Sequence, residues 1–103
     1  MDAVANTYHC IVLLKGPKYI VSDGAHTQVI EGWNAGMTKG GTGDVLAGLI
    51  ASLACKNDPF LATIAGSFIN KKAGDELYAS VGPFFNASDL AAQIPKTMKA
   101  LLY

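Results

Sequence analysis

The residues that could do chemistry are concentrated in one glycine-rich stretch, residues 36–44, which reads GMTKGGTGD. Its glycines let the backbone turn tightly and let a ligand approach the main-chain amides. An apolar helical pattern follows directly, so the stretch ends at a helix N-terminus, where unpaired N–H groups and the helix dipole attract anions. Asp44 stands beside this anion site, where a carboxylate would repel phosphate unless it had a chemical role. We therefore interpret Asp44 as a general base.

A plainer interpretation of the same residues stays open. Thr42 or Asp44 could be an ordinary helix N-cap, because both side chains accept hydrogen bonds from amides of the first turn. The stretch matches neither the P-loop nor the Rossmann fingerprint. The chain contains no arginine, so bound phosphate would have to be held by backbone amides and lysine.

The composition indicates one small globular unit. Half of the 103 residues are apolar, enough for a core. Eight lysines balance eight acidic residues, so no field for nucleic acid or an acidic membrane is expected. Cys10 and Cys55 belong to no zinc-type cluster, and both are expected to be buried. With no secretory signal and no long apolar run, we expect a reduced, cytoplasmic protein.

The first third of the chain predicts three strands. The apolar run at residues 10–14 is typical of a strand covered on both faces, and it ends in a turn at residues 15–18. Residues 19–22 and 27–31 form the two arms of a hairpin, because Asp23-Gly24 between them is a strong turn signal.

Three helical segments are predicted in the remainder. The first follows the glycine stretch and turns its apolar face to the core at Val45, Leu46, Leu49, Ile50 and Leu53. Asp58-Pro59 begins the second with a capping acid and a proline at the first helical position. The polar face of this helix is expected to be solvated at Lys71, Lys72, Asp75 and Glu76. Ser88-Asp89 opens the third, which Pro95 should kink or split.

Two further features could carry chemistry. Lys15-Gly16 directly follows the first strand, where open α/β sheets place ligands, so Lys15 either reaches a nucleotide phosphate or is a turn lysine facing water. His9 and His26 lie apart, without a carboxylate or cysteine partner nearby in sequence, so structural roles are favoured for both.

Four blocks of sequence together resemble a known family. They are residues 13–17 (LLKGP), 34–48 (NAGMTKGGTGDVLAG), 58–60 (DPF) and 87–90 (ASDL). In this order they resemble the ADP/ATP-dependent NAD(P)H-hydrate dehydratases of the ribokinase-like superfamily. The resemblance covers nearly all of residues 1–103 as a single partial domain, the carboxy-terminal part of the family's domain. It implies an α/β fold, the carboxy-terminal portion of a ribokinase-like three-layer fold, with about three strands followed by three helical segments.

The resemblance also implies an activity and a site. The family uses ADP or ATP to phosphorylate the ring hydroxyl of hydrated NADH or NADPH, after which phosphate leaves; Mg²⁺ is expected from the phosphoryl chemistry. Asp44 matches the acid that contacts the substrate hydroxyl and takes its proton. The anion hole corresponds to the amides of Gly41, Thr42, Gly43 and Asp44. The nucleotide site corresponds to Gly43 and to the segment Lys15, Gly16, Pro17, Lys18 and Tyr19.

The family's amino-terminal half, which supplies much of the hydrate site and of the central sheet, is expected to be missing from this sequence. An exposed sheet edge should then seek a partner strand, so we expect a homo-oligomer. Three hypotheses stay open. The chain is the dehydratase or its carboxy-terminal part, a small-molecule hydroxyl kinase of the same superfamily, or a non-catalytic nucleotide-binding or assembly module. The sequence favours the first.

Overall fold

A computed structural model of the chain describes residues 2–31, 34–37 and 39–103. The helices and strands follow one another in the order α1 (Asp2–Tyr8), β1 (Val12–Leu14), β2 (Tyr19–Ser22), β3 (Thr27–Ile30), a 3₁₀ turn (Ala35–Met37), α2 (Thr42–Ala54), α3 (Pro59–Val81) and α4 (Ala87–Leu102). The predicted strands and helical segments are therefore present. Within the described ranges, no helix is both long and apolar enough to cross a membrane.

The strands form an antiparallel sheet in the order β1-β2-β3. Val12 pairs with Ser22 across the first ladder, and Tyr19 pairs with Ile30 across the second. The turn between β2 and β3 is closed by Asp23, whose Oδ1 accepts hydrogen bonds from the amides of Ala25 (2.9 Å) and His26 (2.6 Å). This confirms the hairpin predicted at Asp23-Gly24.

The core lies where α2 and α3 pack on the sheet. Its buried side chains come from β2, β3 and α2, and they are Tyr19, Val21, Ile30 and Leu46. Half-buried apolar residues of β1, α2 and α3 pack around them. The two helices approach closely because Gly66 of α3 lies against Ile50 of α2.

The first strand is less covered than predicted. Val12 and Leu13 are half-buried and Leu14 is 53% exposed. The prediction of a strand buried on both faces is wrong for this chain, because β1 lies at the edge of the sheet and pairs with β2 alone among the described strands. The prediction that both cysteines are buried is also wrong, because Cys10 and Cys55 are exposed.

Local capping signals set the helix ends. The Asp58 side chain accepts from the Leu61 amide and Pro59 is the first residue of α3, as predicted. Helix α4 begins one residue earlier than Ser88-Asp89 suggested, at Ala87, because Asn86 is its N-cap and forms a reciprocal capping box with Asp89. Pro95 does not split α4, which continues to Leu102.

One predicted solvated charge is buried. Lys71 is 5% exposed and its Nζ lies 3.9 Å from the centroid of the Tyr19 ring. Lys72 and Asp75 are exposed as expected, and Glu76 is half-buried where its carboxylate accepts a hydrogen bond from Gln93 (3.1 Å). The helical pattern failed at Lys71 because α3 packs on β2 at this point, and an aromatic face can hold an ammonium there.

Candidate functional site

The glycine stretch delivers the N-terminus of α2 without a side-chain cap. Gly41 is the N-cap residue and has φ of 89°, a left-handed conformation that favours glycine. Its carbonyl accepts from the amides of Asp44 (3.1 Å) and Val45 (3.2 Å). The Thr42 hydroxyl points back into the loop, 2.9 Å from the carbonyl oxygens of both Met37 and Lys39. Neither Thr42 nor Asp44 is therefore an ordinary N-cap.

Gly43 lies in the first turn of α2. Among hydrogen bonds between described residues, its N–H has no acceptor. A Cβ at this position would lie only 2.9 Å from the Nζ of Lys15. The ammonium thus lies directly beside the positive end of the α2 dipole, an arrangement that is repulsive until an anion lies between them.

An open pocket of about 370 Å³ contains these two groups. It is lined by residues of the β1–β2 turn and of the glycine stretch, namely Lys15, Gly16, Pro17, Tyr19, Met37, Thr42 and Gly43. The fold therefore brings together two segments that the sequence assigned separately to one nucleotide site. An N-terminal amide, a lysine and a tyrosine around one pocket can hold a phosphate and an adjoining ring system.

Three of the expected site residues, Gly41, Lys18 and Asp44, do not line this pocket. Lys18 pairs with Glu31 on the surface, with 3.3 Å between Nζ and Oε1. Asp44, in the first turn of α2, is exposed and leaves its carboxylate open to solvent. The carboxylate is accessible to a second substrate approaching from outside the pocket.

Tyr19 forms a rigid wall of the pocket. It is 9% exposed, and burial raises the pKa of its phenol above the ordinary value. Burial likewise lowers the pKa of the Lys71 ammonium that lies against the ring, and the nearby Asp75 carboxylate opposes that shift. The tyrosine is therefore neutral and fixed in place, which suits an apolar contact with a ligand.

The glycine stretch rests on α3, through contacts that the sequence did not reveal. The Asn34 side-chain amide donates to the Asp75 carboxylate (3.1 Å), and Met37 packs where Gly74 has no side chain. A Cβ at Gly74 would lie 2.3 Å from the Met37 sulfur. The glycine in the middle of α3 was the available signal for this close approach.

The histidines lie outside the pocket. His26 has a carboxylate partner after all, because its Nδ1 lies 3.3 Å from the Asp23 Oδ2 within the hairpin turn. Hydrogen bonds from the amides of His26 and Ala25 lower the pKa of the Asp23 carboxyl. His9, the residue after α1, has a φ of 51°. Within the described part of the chain, no group of three or more His, Cys, Asp or Glu is arranged to hold a metal ion.

Comparison with known proteins decides the family. The family model described as NAD(P)H-hydrate dehydratase matches residues 1–96. The chain belongs to this family.

Two relatives illustrate the likeness. The bifunctional NAD(P)H-hydrate repair enzyme of Archaeoglobus fulgidus is 42% identical over 88 residues, covering 85% of this chain and 19% of the relative. The ADP-dependent (S)-NAD(P)H-hydrate dehydratase of Nitrosopumilus maritimus is 41% identical over 100 residues, covering 96% of this chain and 35% of the relative. This member of the family thus spans between about a fifth and a third of those proteins' lengths.

Solved structures show the same fold. The ADP/ATP-dependent NAD(P)H-hydrate dehydratase of Bacillus subtilis, co-crystallised with ATP and Mg²⁺ and soaked with CoA, superposes with a TM-score of 0.85 at 23% identity. The superposition covers 96% of this chain and 38% of that one. It confirms the predicted fold class, a portion of a ribokinase-like α/β domain.

Proposed function

We propose that this chain supplies the nucleotide phosphate site of an ADP- or ATP-dependent dehydratase that repairs hydrated NADH and NADPH. The observation that carries the proposal is the placement of the Lys15 ammonium beside the open Gly43 amide at the start of α2. Both groups attract negative charge at one point, which suits the phosphates of a nucleotide. Membership in the family supplies the substrate class.

Phosphorylation turns the ring hydroxyl of the hydrate into a good leaving group. The hydroxyl oxygen bonds to the terminal phosphorus as the bond from that phosphorus to AMP or ADP breaks, and the hydroxyl proton passes to Asp44. Phosphate then departs with the carbon–oxygen bonding pair, and loss of a proton from the neighbouring carbon restores the double bond. Lys15 and the Gly43 amide stabilise the charge on the transferred group.

Mg²⁺ would enter this site bound to the phosphates of the nucleotide. The described residues offer no cluster of metal-binding side chains, and Asp44 is the carboxylate in the first turn of α2. Mg²⁺ is commonly held by one or two carboxylates together with substrate phosphates. When bound, it would neutralise phosphate charge during transfer.

The two free, exposed thiols suit a reducing compartment, so we propose a cytoplasmic site of action.

A second candidate is nucleotide binding without turnover by the isolated chain. Asp44 is exposed and lies outside the pocket, and the chain covers 35% of the Nitrosopumilus maritimus dehydratase. A hydrate site would need walls around Asp44 that the described residues do not offer. We therefore propose that turnover requires further residues of the family domain.

Self-association through β1 is part of the proposal. This strand is apolar, lies at the edge of the sheet and leaves Leu14 53% exposed. An apolar edge strand pairs readily with another chain. Light scattering is expected to show dimers or larger species that Leu14→Lys shifts to monomer; a monodisperse wild-type monomer would contradict this part.

Calorimetric titration of the chain with ADP and with ATP, both with Mg²⁺, tests the phosphate site directly. Measurable affinity for both supports it, and no binding at about millimolar nucleotide overturns it. Turnover is tested by fusing the chain to the remaining residues of the Nitrosopumilus maritimus dehydratase and following NADH recovery from its hydrate. Asp44→Asn should lower the rate at least about a hundredfold while leaving nucleotide affinity within about twofold. Lost affinity with retained turnover would refute the role of Asp44.

A further inference from the structure

Lys39, in the middle of the glycine stretch, faces away from the phosphate pocket. Its Nζ donates hydrogen bonds to the carbonyl oxygens of Pro83 and Phe85. The same ammonium lies 4.7 Å from the centroid of the Phe85 ring, within cation–π range. A lysine ammonium has three N–H donors, and that of Lys39 is engaged by two carbonyl oxygens and the face of one ring. Its contacts are thus with the turn between α3 and α4.

That turn and the first residue of α4 each touch the glycine stretch at one further point. A Cβ on Gly36 would lie 2.4 Å from the Phe85 ring, and a Cβ on Gly41 would lie 2.9 Å from the Cβ of Ala87. Phe85 is 3% exposed, so its ring is fixed between the two segments. Residues 83–87 therefore pack against the glycine stretch, and the hydrogen bonds of the Lys39 side chain join the two segments.

Residues 83–87 are themselves held between the ends of two helices. Gly82 ends α3 with φ of 65°, and the reciprocal hydrogen bonds between Asn86 and Asp89 begin α4 four residues later. The carbonyls of Pro83 and Phe85 lie between these two helix ends. A charge-assisted hydrogen bond to such a fixed acceptor is stronger than one between neutral groups.

We propose that Lys39 is a positioning residue that holds the phosphate-binding turn in shape from behind. Its carbonyl accepts from the Thr42 amide (3.5 Å) and lies 2.9 Å from the Thr42 hydroxyl, so its backbone is joined to the first residue of α2. Fixing Lys39 fixes Gly41 and with it the direction of the Gly43 amide. Any effect of Lys39 on nucleotide binding is transmitted through this turn, and that effect rests on the proposed function.

Hydrogen exchange without nucleotide tests the positioning role separately from binding. In Lys39→Met, the amides of Thr42, Asp44, Val45 and Asn86 should exchange at least about tenfold faster than in the wild type. Lys15→Met is the matched control, because Lys15 is on the pocket side of the turn. It should weaken ADP binding while leaving those amides unchanged. Wild-type exchange in Lys39→Met, together with affinity lost as in Lys15→Met, would overturn the proposal and make Lys39 a direct phosphate ligand.

Conservative variants separate the hydrogen bonds from the charge. Lys39→Gln keeps a donor without the charge, so it should recover part of the lost protection and part of the lost ADP affinity. Equal loss in the Gln and Met variants contradicts a role through the Pro83 and Phe85 carbonyls. If Lys39→Met does not fold, Phe85→Leu serves instead, because it removes the ring and should also speed exchange at Thr42. Absence of ADP binding to the wild type would overturn the proposed function but leave the exchange result decisive.

Discussion

The Lys15 ammonium lies so close to Gly43 that a single added carbon on Gly43 would be 2.9 Å from it. This contact joins the β1–β2 turn to the start of α2 and places a positive charge beside a positive helix end. Unfavourable in the empty pocket, the pair becomes favourable when an anion enters between them. This relationship is the basis for proposing that the site selects negatively charged ligands.

Gly43→Ala should lower ADP affinity about tenfold. The new methyl group would push Lys15 off its position and would occupy space that a phosphate needs beside the amide. A displaced ligand contact of this kind costs about 1–2 kcal/mol, which corresponds to roughly a tenfold change. Calorimetric titration with ADP measures the effect.

Gly48→Ala is the matched control for that substitution, because it lies on the same helix with nothing within 4 Å of its added Cβ. It should leave ADP affinity unchanged and should stabilise the chain by about 0.5–1 kcal/mol, since alanine is the better helix former. Equal losses of affinity in both variants would show that the Gly43 effect comes from the helix and not from the pocket.

Lys15→Met should weaken ADP binding and also reduce its dependence on salt. The lysine supplies the one ammonium that lines the pocket among the described residues, and attraction between its charge and phosphate is screened by ions. Affinity measured over a range of salt concentrations gives the slope, with Lys72→Met on the exposed side of α3 as the control. A slope equal to that of the wild type would remove Lys15 from the site.

Features set by neighbouring residues could be read from the sequence. The hairpin at Asp23-Gly24 and the start of α3 at Asp58-Pro59 each depend on hydrogen bonds within a few residues, so their signals are local. The same holds for the helix that follows the glycine stretch. The sequence also places its N-terminus directly after the glycines, and a phosphate site at that N-terminus stays a prediction.

Features set by distant packing could not be read in this way. Lys71 has the pattern of a solvated residue, and only the fold places the Tyr19 ring against it. Lys39 lies within the glycine stretch, and only the fold shows that the turn after α3 takes up its donors. The exposure of β1 depends equally on what lies beside it, which no strand pattern contains.

Gly66→Ala should destabilise the chain by about 1–3 kcal/mol despite the better helix propensity of alanine. The added Cβ would lie 2.7 Å from Ile50 Cγ1 and 3.4 Å from its Cα, so the backbones of α2 and α3 would have to separate. Denaturant unfolding of this variant beside Gly48→Ala gives the comparison. An unchanged midpoint for Gly66→Ala would mean that the two helices do not pack as closely as described.

Asp2 should stabilise the fold at neutral pH and lose that effect in acid. Hydrogen bonds from the hydroxyls of Ser22 and Thr27 lower the pKa of the Asp2 carboxyl from its usual 3.8, so the folded chain prefers the ionised form. The stabilisation is present above the unfolded value and disappears as the pH falls through the folded value.

Unfolding free energies of the wild type and Asp2→Asn, measured at about pH 6 and at about pH 3, test the coupling between α1 and the hairpin. The difference in unfolding free energy between the two proteins should shrink at the lower pH. Protonation removes the negative charge of Asp2 from the wild type, and the substitution has already removed it from the variant. Asp23 is present in both proteins, and separate hydrogen bonds lower the pKa of its carboxyl, although its charge also acts to raise the Asp2 pKa. A difference that stays constant or grows in acid would show that the carboxylate of Asp2 does not hold α1 against β2 and β3.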